Sequence, residues 1–263
     1  MTRRIGRGRG SWQGTRMFLA ALFVSASGLT VTACASAPGQ PPANTGVVVA
    51  KPLTKQILNV PLVTQSGATT TLQAMKGHTL LVLPFLTLCP DVCPFTTGNL
   101  LSVQRSIDAA KQQGRIKVIE VSVDPERDTQ ERLAQYAKDN GTSWDVVRST
   151  PEGTQQLIKF FGWTVLKQPA SSPPTIDWLT GEPLTYDLAH SDGYSVIDSA
   201  GVLRFANGSS PHFHGILPAK LRAFLSDEGR STLRHPEPNG WKPAGALDAL
   251  SWVAGTRVPL ASN

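Results

Sequence analysis

The stretch "LTLCPDVCPFTTGNL", residues 86–100, carries two of the chain's three cysteines, and its reading decides the fold. Cys89 and Cys93 stand four positions apart, each followed by a proline, Pro90 and Pro94. Proline is tolerated in the first turn of a helix because its missing N–H has no intrahelical partner there. Pro94 is therefore expected as the first helical residue, with Cys93 at the N-cap. Residues before proline avoid helical angles, which predicts extended or turned backbone at both cysteines and a tight loop between them. The two sulfurs then converge above a helix N-terminus, whose positive pole and unpaired N–H groups favour thiolate over thiol. Thiolates so placed are good metal ligands and good nucleophiles. The spacer of three residues differs from the two of a thioredoxin-type redox pair, and spacing alone does not separate redox from metal chemistry. A structural disulfide is a further reading, although a bridge closing so short a loop adds little through loop entropy.

Working outward, "TLLVLPFL" (79–86) is a nearly continuous apolar run of strand length, as in a strand buried on both faces, with Pro84 marking the end of regular pairing. Residues 95–114 place Leu100, Leu101, Val103 and Ile107 at helical spacing and stop at Gly114. "IKVIEVSVD" (116–124) is a second apolar, β-branched run, followed by a turn and a helix for which Asp128 and Glu131 are spaced as a capping box. Strand, helix, strand, helix predicts a mainly parallel sheet in an α/β fold. A third short helix follows at 151–162, then a hairpin turning at Ser199–Gly201, then a last helix near Leu217–Leu225. Residues 47–78 alternate apolar and polar with glycine turns, as short antiparallel strands do. The Pro- and Gly-rich tail beyond Ser226 reads either as a drape over the domain or as an unattached extension.

The first residues form an export signal. Arg3, Arg4, Arg7, Arg9 and Arg16 precede an apolar run too short and broken for a confident membrane span, which ends in "VTAC" at Cys34. Small residues leading into a cysteine are the pattern of a bacterial lipobox, in which that thiol is acylated and the chain is cut before it. The alternative is an ordinary signal peptide with an incidental cysteine. Arg3–Arg4 raises twin-arginine export, but the following "IGRG" fits that route poorly. The reading divides the chain into a lipoprotein signal peptide (1–33), a lipidated Cys34 with a flexible tether (34–46), a folded domain (47–228) and a Pro/Gly-rich extension (229–263). It places the mature protein at the outer face of a bacterial cell membrane, anchored by lipid. Without the leader, 20 Lys and Arg face 19 Asp and Glu, so the chain's net charge of +6 resides almost wholly in the leader and does not indicate a nucleic-acid partner.

Three motifs in order carry a resemblance: "CPDVCP" after a buried strand, "VSVDPERDT" (121–129), and a distant histidine in "HSDGYSVIDSAGVLRF" (190–205) ahead of a hairpin. Together they resemble the Sco/SenC family of copper-delivery proteins for cytochrome c oxidase assembly, over roughly residues 47–228. The resemblance implies a thioredoxin-like fold, with a central mixed sheet flanked by helices, an added N-terminal strand region and a C-terminal extension. It implies one copper, Cu(I) or Cu(II), held by Cys89, Cys93 and His190. The role it implies is that of a metallochaperone rather than an enzyme, with the copper-bearing subunit of the oxidase, or another copper acceptor, as partner. The donor chemistry agrees, since soft thiolates suit Cu(I), imidazole suits Cu(II), and three ligands leave a side open for transfer. The chain departs from the family at Phe85–Leu88, which keep only Thr87 of the usual lead-in, and at Ala189, where an acidic residue often precedes the histidine. Asp187 and Asp192 stand nearby.

Two other readings remain. The same cysteines suit a thiol-disulfide oxidoreductase that keeps acceptor cysteines reduced. A thioredoxin-superfamily peroxidase fits less well, because its reactive cysteine usually sits in a different local motif. His78 and His235 read as structural or solvated. His212 and His214, two apart, would point the same way on a strand and offer a weak second metal contact. "VDPERDT" reads as a turn with a helix cap, Trp163 and Trp178 as packing residues, and Asp91 as either a cap or a shaper of the field at the cysteines.

Overall fold

Two apolar β-branched runs build the middle of the sheet, and the rest of the fold is arranged on their two faces. The computed structural model describes residues 41–42 and 46–262, so the leader, Cys34 and most of the tether lie outside the described residues. In chain order the elements are β1 (Val47–Pro52), α1 (Lys55–Leu58), β2 (Leu62–Thr64), β3 (Thr69–Thr70), β4 (Thr79–Phe85), α2 (Cys93–Ala109), β5 (Ile116–Ser122) and α3 (Gln130–Asn140). They continue with β6 (Asp145–Arg148), α4 (Pro151–Phe161), β7 (Val165–Pro169), β8 (Tyr186–His190), β9 (Tyr194–Ile197), β10 (Val202–Asn207), α5 (Ala219–Phe224), α6 (Asp227–Arg234) and α7 (Pro243–Ala254). Eight strands form one mixed sheet in the order β1-β10-β9-β4-β5-β6-β2-β3, and β7 and β8 form a separate two-stranded sheet. β4, β5 and β6 are parallel, whereas β9 runs antiparallel to β4. A thiol motif after a central parallel strand, flanked by an antiparallel hairpin, makes the fold thioredoxin-like.

β4 is buried along its whole length. Strand side chains alternate between faces, so Leu81, Leu83 and Phe85 enter the core beneath α2, while Leu80 and Val82 enter a second core with Ile57 and Leu157 on the other face. Pro84 does not end the parallel ladder, which runs on to Phe85 opposite Ser122. The pairing with β9 covers only Leu80–Val82, so the missing N–H of Pro84 falls beyond that ladder. α2 begins one residue earlier than the sequence predicts. Val92 is the N-cap, its carbonyl accepting from the N–H groups of Phe95 and Thr96, and Cys93 is the first helical residue. The helix ends at Ala109, before the left-handed Lys111, rather than running to Gly114.

Three further expectations change. Between β1 and β2 the chain forms the short α1 rather than another strand, with Thr54 capping it through Ile57 N–H. The cap of α3 is Thr129, which accepts from Arg132 N–H at 3.2 Å, so Asp128 and Glu131 form no capping box. The tail beyond Ser226 folds into α6 and α7. α7 lies on the α2 side of the sheet, where Ala246, Leu247, Ala249 and Leu250 are each at most 1% exposed. No helix among the described residues is long and apolar enough to cross a membrane.

Beneath α2 a buried polar cluster joins the helix to the sheet. Glu120 of β5 accepts from Trp144 Nε1–H at 2.8 Å and from the Thr97 hydroxyl at 3.3 Å, with no cation beside it. Burial pushes its carboxyl up to about 7, against the opposing pull of those two hydrogen bonds. The folded protein thus keeps a proton that the unfolded chain releases above 4.5, and stability falls as pH rises from there to about 7. Glu120→Gln is expected to stabilise the protein by about 2–3 kcal/mol more at pH 8 than at pH 5, read by urea unfolding at the two pH values. An equal effect at both would show that the carboxyl is ionised throughout. Truncating Leu250 to Ala, in the tail helix, is expected to cost about 2–5 kcal/mol in the same measurement.

Candidate metal centre

Two strand ends bring the three donors together. β4 feeds the loop 86–92, from which Cys89 projects, and α2 opens on Cys93. β8 ends at His190, and the chain then turns through Gly193 into β9, which pairs with β4. A Cβ at Gly193 would lie 1.8 Å from the Asn207 carbonyl oxygen, so only glycine permits this approach. Cys93 Sγ lies 3.2 Å from His190 Nε2, across 97 residues of sequence. One donor atom from each of Cys89, Cys93 and His190 lies within 4.8 Å of the other two, and both cysteines are free thiols. Among the described residues this is the one group of three or more such side chains able to hold a metal ion.

The ring is oriented from its far side. Nδ1 of His190 donates to the Ser191 carbonyl at 2.7 Å and stands 3.6 Å from Asp192 Oδ1. That bond keeps the proton on Nδ1 and leaves Nε2 to face the sulfurs. Asp192 therefore supplies, from two residues after the histidine, the acidic neighbour that Ala189 does not. Asp187 is occupied elsewhere, accepting from Ser171 N–H at 2.7 Å.

The sulfurs do not share one protonation state, as the helix-dipole expectation had them do. A hydrogen bond from Cys93 holds Cys89 well below the usual thiol range against the cost of burial, and His190 adds to the effect. Burial pushes Cys93 well above that range, and the hydrogen bond to and charge of Cys89 push it the same way. Burial is the main reason, and like-charge repulsion adds to it, because a second buried thiolate beside the first is disfavoured. Burial alone would lower His190, but its bond to and attraction by Cys89, with Asp192 behind, raise it to about 9. The three donors are thus pulled apart, Cys89 toward the thiolate, Cys93 toward the thiol and His190 toward the imidazolium.

The residues around the donors were largely invisible in the sequence. Asp128 is fully buried and accepts from Ser122 Oγ at 2.6 Å, from Thr87 Oγ1 at 2.5 Å and from Thr87 N–H at 3.3 Å, fastening the approach to Cys89 onto the end of β5. Trp178 packs against Tyr136 and also donates its indole N–H to the Thr87 carbonyl at 2.9 Å. Arg127 pairs with Asp124 at 2.5 Å and donates to the Tyr186 carbonyl at 2.7 Å, which fixes the start of β8. "VDPERDT" is therefore more than a turn with a cap, since it fastens both the cysteine loop and the histidine strand. Its one legible signal was charge set directly after a largely buried strand, where a carboxylate needs donors to remain.

The other candidates lie apart. His212 and His214 are not on a strand, His212 binds the Glu237 carbonyl at 2.7 Å, and His214 is exposed. His78 Nδ1 bonds the Met75 carbonyl at 3.2 Å, His235 follows the end of α6, and Trp163 stacks on Phe161 at 4.7 Å. Asp91 accepts from the Ser226 hydroxyl and caps no helix in its own loop. A cleft of about 360 Å³ opens over the site, bordered by Cys89, Asp91, His190, Asp192, Glu228 and Glu237, among others.

The SCO1/SenC family model matches residues 58–209, more than half of the chain, and the chain belongs to that family. Among its relatives, the human mitochondrial Protein SCO1 homolog is 28% identical over 132 residues, covering 50% of this chain and 43% of that one. The SCO1 protein homolog of Bacillus subtilis is 26% identical over 157 residues, covering 60% of this chain and 80% of the other. The structure of Bradyrhizobium japonicum ScoI with copper bound is 26% identical, with a TM-score of 0.47, and the match covers 63% of this chain and 97% of that one. The chain thus spans less than half the length of the human relative it matches.

Asp128→Ala would leave the buried Thr87 N–H and hydroxyl without their acceptor. It is expected to destabilise the protein by about 1–3 kcal/mol in urea unfolding, with Asp128→Asn costing less because one acceptor oxygen survives. Equal losses would mean that packing, not the hydrogen bonds, carries the effect.

Proposed function

We propose that this chain is an extracytoplasmic copper metallochaperone, holding one copper through Cys89, Cys93 and His190 and passing it to the copper-bearing subunit of cytochrome c oxidase. The observation that carries the reading is the approach of Cys93 Sγ to His190 Nε2 at 3.2 Å within a group spanning no more than 4.8 Å. Copper supplies the cation that two adjoining thiolates need, and its arrival displaces the remaining thiol proton and the Nε2 proton. Sulfur suits Cu(I) and imidazole suits Cu(II), so the mixed set accommodates either oxidation state. The Nδ1–H bond to Ser191 holds the ring ready while Nε2 gains or loses the ion. Membership of the SCO1/SenC family supports the oxidase as destination. The lipobox-like "VTAC" supports a lipid anchor at Cys34 on the outer face of the cell membrane.

A second reading rests on the same atoms. Free cysteines this close, one as thiolate, suit dithiol–disulfide exchange with a partner's cysteines. His190 separates the two, because a reductase has no need of an imidazole ligand. Anaerobic titration of the reduced full-length protein is expected to show one copper per chain, with a sulfur-to-Cu(II) absorption band for the oxidised ion. His190→Ala is expected to weaken Cu(II) binding by far more than it slows disulfide exchange at Cys89 and Cys93. Unchanged Cu(II) affinity in that variant would leave the redox reading in possession of the site.

A further inference from the structure

The SCO1/SenC match ends at residue 209, yet the segment beyond it lies directly on the loop between the two cysteines. Ser226, the N-cap of α6, makes two bonds to that loop and one within its own helix. Its hydroxyl donates to Asp91 Oδ1 in a short contact, its N–H donates to the Pro90 carbonyl at 3.2 Å, and its Oγ accepts from Gly229 N–H at 3.0 Å. Gly229 is buried against the same loop, where a Cβ would sit 2.6 Å from the Pro90 carbonyl oxygen and 3.4 Å from Asp91 Cα. Leu225, 2% exposed, anchors the preceding residue in the core, so the contact cannot drift away as a surface side chain would.

We propose that Ser226 is a positioning residue for the cysteine loop: by latching Asp91 and Pro90 from outside, the C-terminal segment sets the spacing of Cys89 and Cys93. The inference deepens the copper-carrying reading and rests on it for the purpose of the latch, though not for its existence. Asp128 and Trp178 hold the loop where it leaves β4, through Thr87, and α2 holds it at Cys93. The stretch between, Pro90–Val92, forms no regular backbone ladder, and Ser226 is what pins its middle. A loop pinned at both ends and the middle presents its sulfurs already spaced for the ion and releases the ion slowly. Freed at the middle, it would let Cys89 move away from Cys93 and open the cleft.

Three substitutions at one position separate the latch from the helix cap. Ser226→Ala removes the hydroxyl bond to Asp91 and the cap, leaving only the backbone N–H bond to Pro90. Ser226→Asp keeps an oxygen able to cap Gly229 N–H but has no proton for Asp91 and sets a second carboxylate against it. Ser226→Thr keeps the hydroxyl for both partners. The full chain would be assayed twice: as reduced metal-free protein for alkylation of Cys89 by iodoacetamide, and after loading with one equivalent of Cu(I) for its loss to bathocuproine disulfonate. Ser226→Ala and Ser226→Asp are expected to lose copper about tenfold faster, as second-layer changes at metal sites do, and to alkylate several-fold faster, with Ser226→Thr restoring both rates. Wild-type rates in both Ala and Asp variants would overturn the latch. A lowered melting temperature with unmoved alkylation would do the same, since it would leave only the cap. If the unaltered protein holds no Cu(I), the copper reading falls, and the alkylation arm still decides whether Ser226 positions the loop.

Discussion

The site depends on the antiparallel register of β4 and β9. Leu80 faces Ile197 and Val82 faces Ser195, so each step toward the cysteines along β4 is a step back toward His190 along the other strand. The C-terminal end of one and the N-terminal start of the other must therefore meet at one edge of the sheet. That edge is where the cysteine loop leaves and where the histidine arrives. Because side chains alternate, a slip of β4 by one residue would exchange Leu81, Leu83 and Phe85, which fit the core beneath α2, with Leu80 and Val82, which fit the second core. Hydrophobic burial on both faces of β4 thus fixes a polar juxtaposition between residues distant in sequence.

That juxtaposition sets a charge balance which the donors cannot satisfy alone. Of three buried groups, Cys89 is shifted toward the thiolate, Cys93 toward the thiol and His190 toward the imidazolium, with Asp192 behind the ring. The arrangement is stable as an ion pair and incomplete as a ligand set. A cation between the sulfurs would offset both the burial cost and the repulsion at Cys93. The same imbalance would favour Cys89 as the attacking sulfur in thiol exchange, so the two proposed chemistries draw on a single electrostatic feature.

How much of this was legible follows from the range of each interaction. The strand at 79–86, the helix after it, the 116–122 strand and the hairpin turning at Ser199–Gly201 announce themselves by local periodicity and turn residues, and the structure has them. The convergence of Cys89, Cys93 and His190 came from a resemblance, because no local rule carries a contact across 97 positions. The misses share a cause. Asp128 looked like a cap because Glu131 stands three residues on, but its donors, Thr87 and Ser122, come from other strands and the capping fell to Thr129. The tail read either as a drape or as an unattached extension because its Pro- and Gly-rich composition did not choose, and Trp241, Leu247 and Leu250 are the apolar residues that anchor it. Composition reports what a segment can do by itself, and this one acts against α2 and β9.

If the site carries copper as proposed, the surroundings of the loop resolve a conflict inherent in holding a reactive ion. Sulfurs accessible enough to hand copper on would also be open to oxidation, while sulfurs fully sealed could neither load nor unload. Here Cys93 is 2% exposed and Cys89 8%, and Cys89 borders both the cleft beneath His190 and the adjoining groove along β8 and α6. On the copper-carrying reading, an incoming ligand would meet Cys89 and the His190 ring, which both line the cleft, before the more buried Cys93. Exchange at those two donors, against one retained sulfur, would let a carrier release its cargo stepwise without exposing the whole site to water. The fastening of Thr87 by Asp128 and Trp178 on one flank, and of Asp91 by Ser226 on the other, holds Cys89 in place between the two openings that it borders.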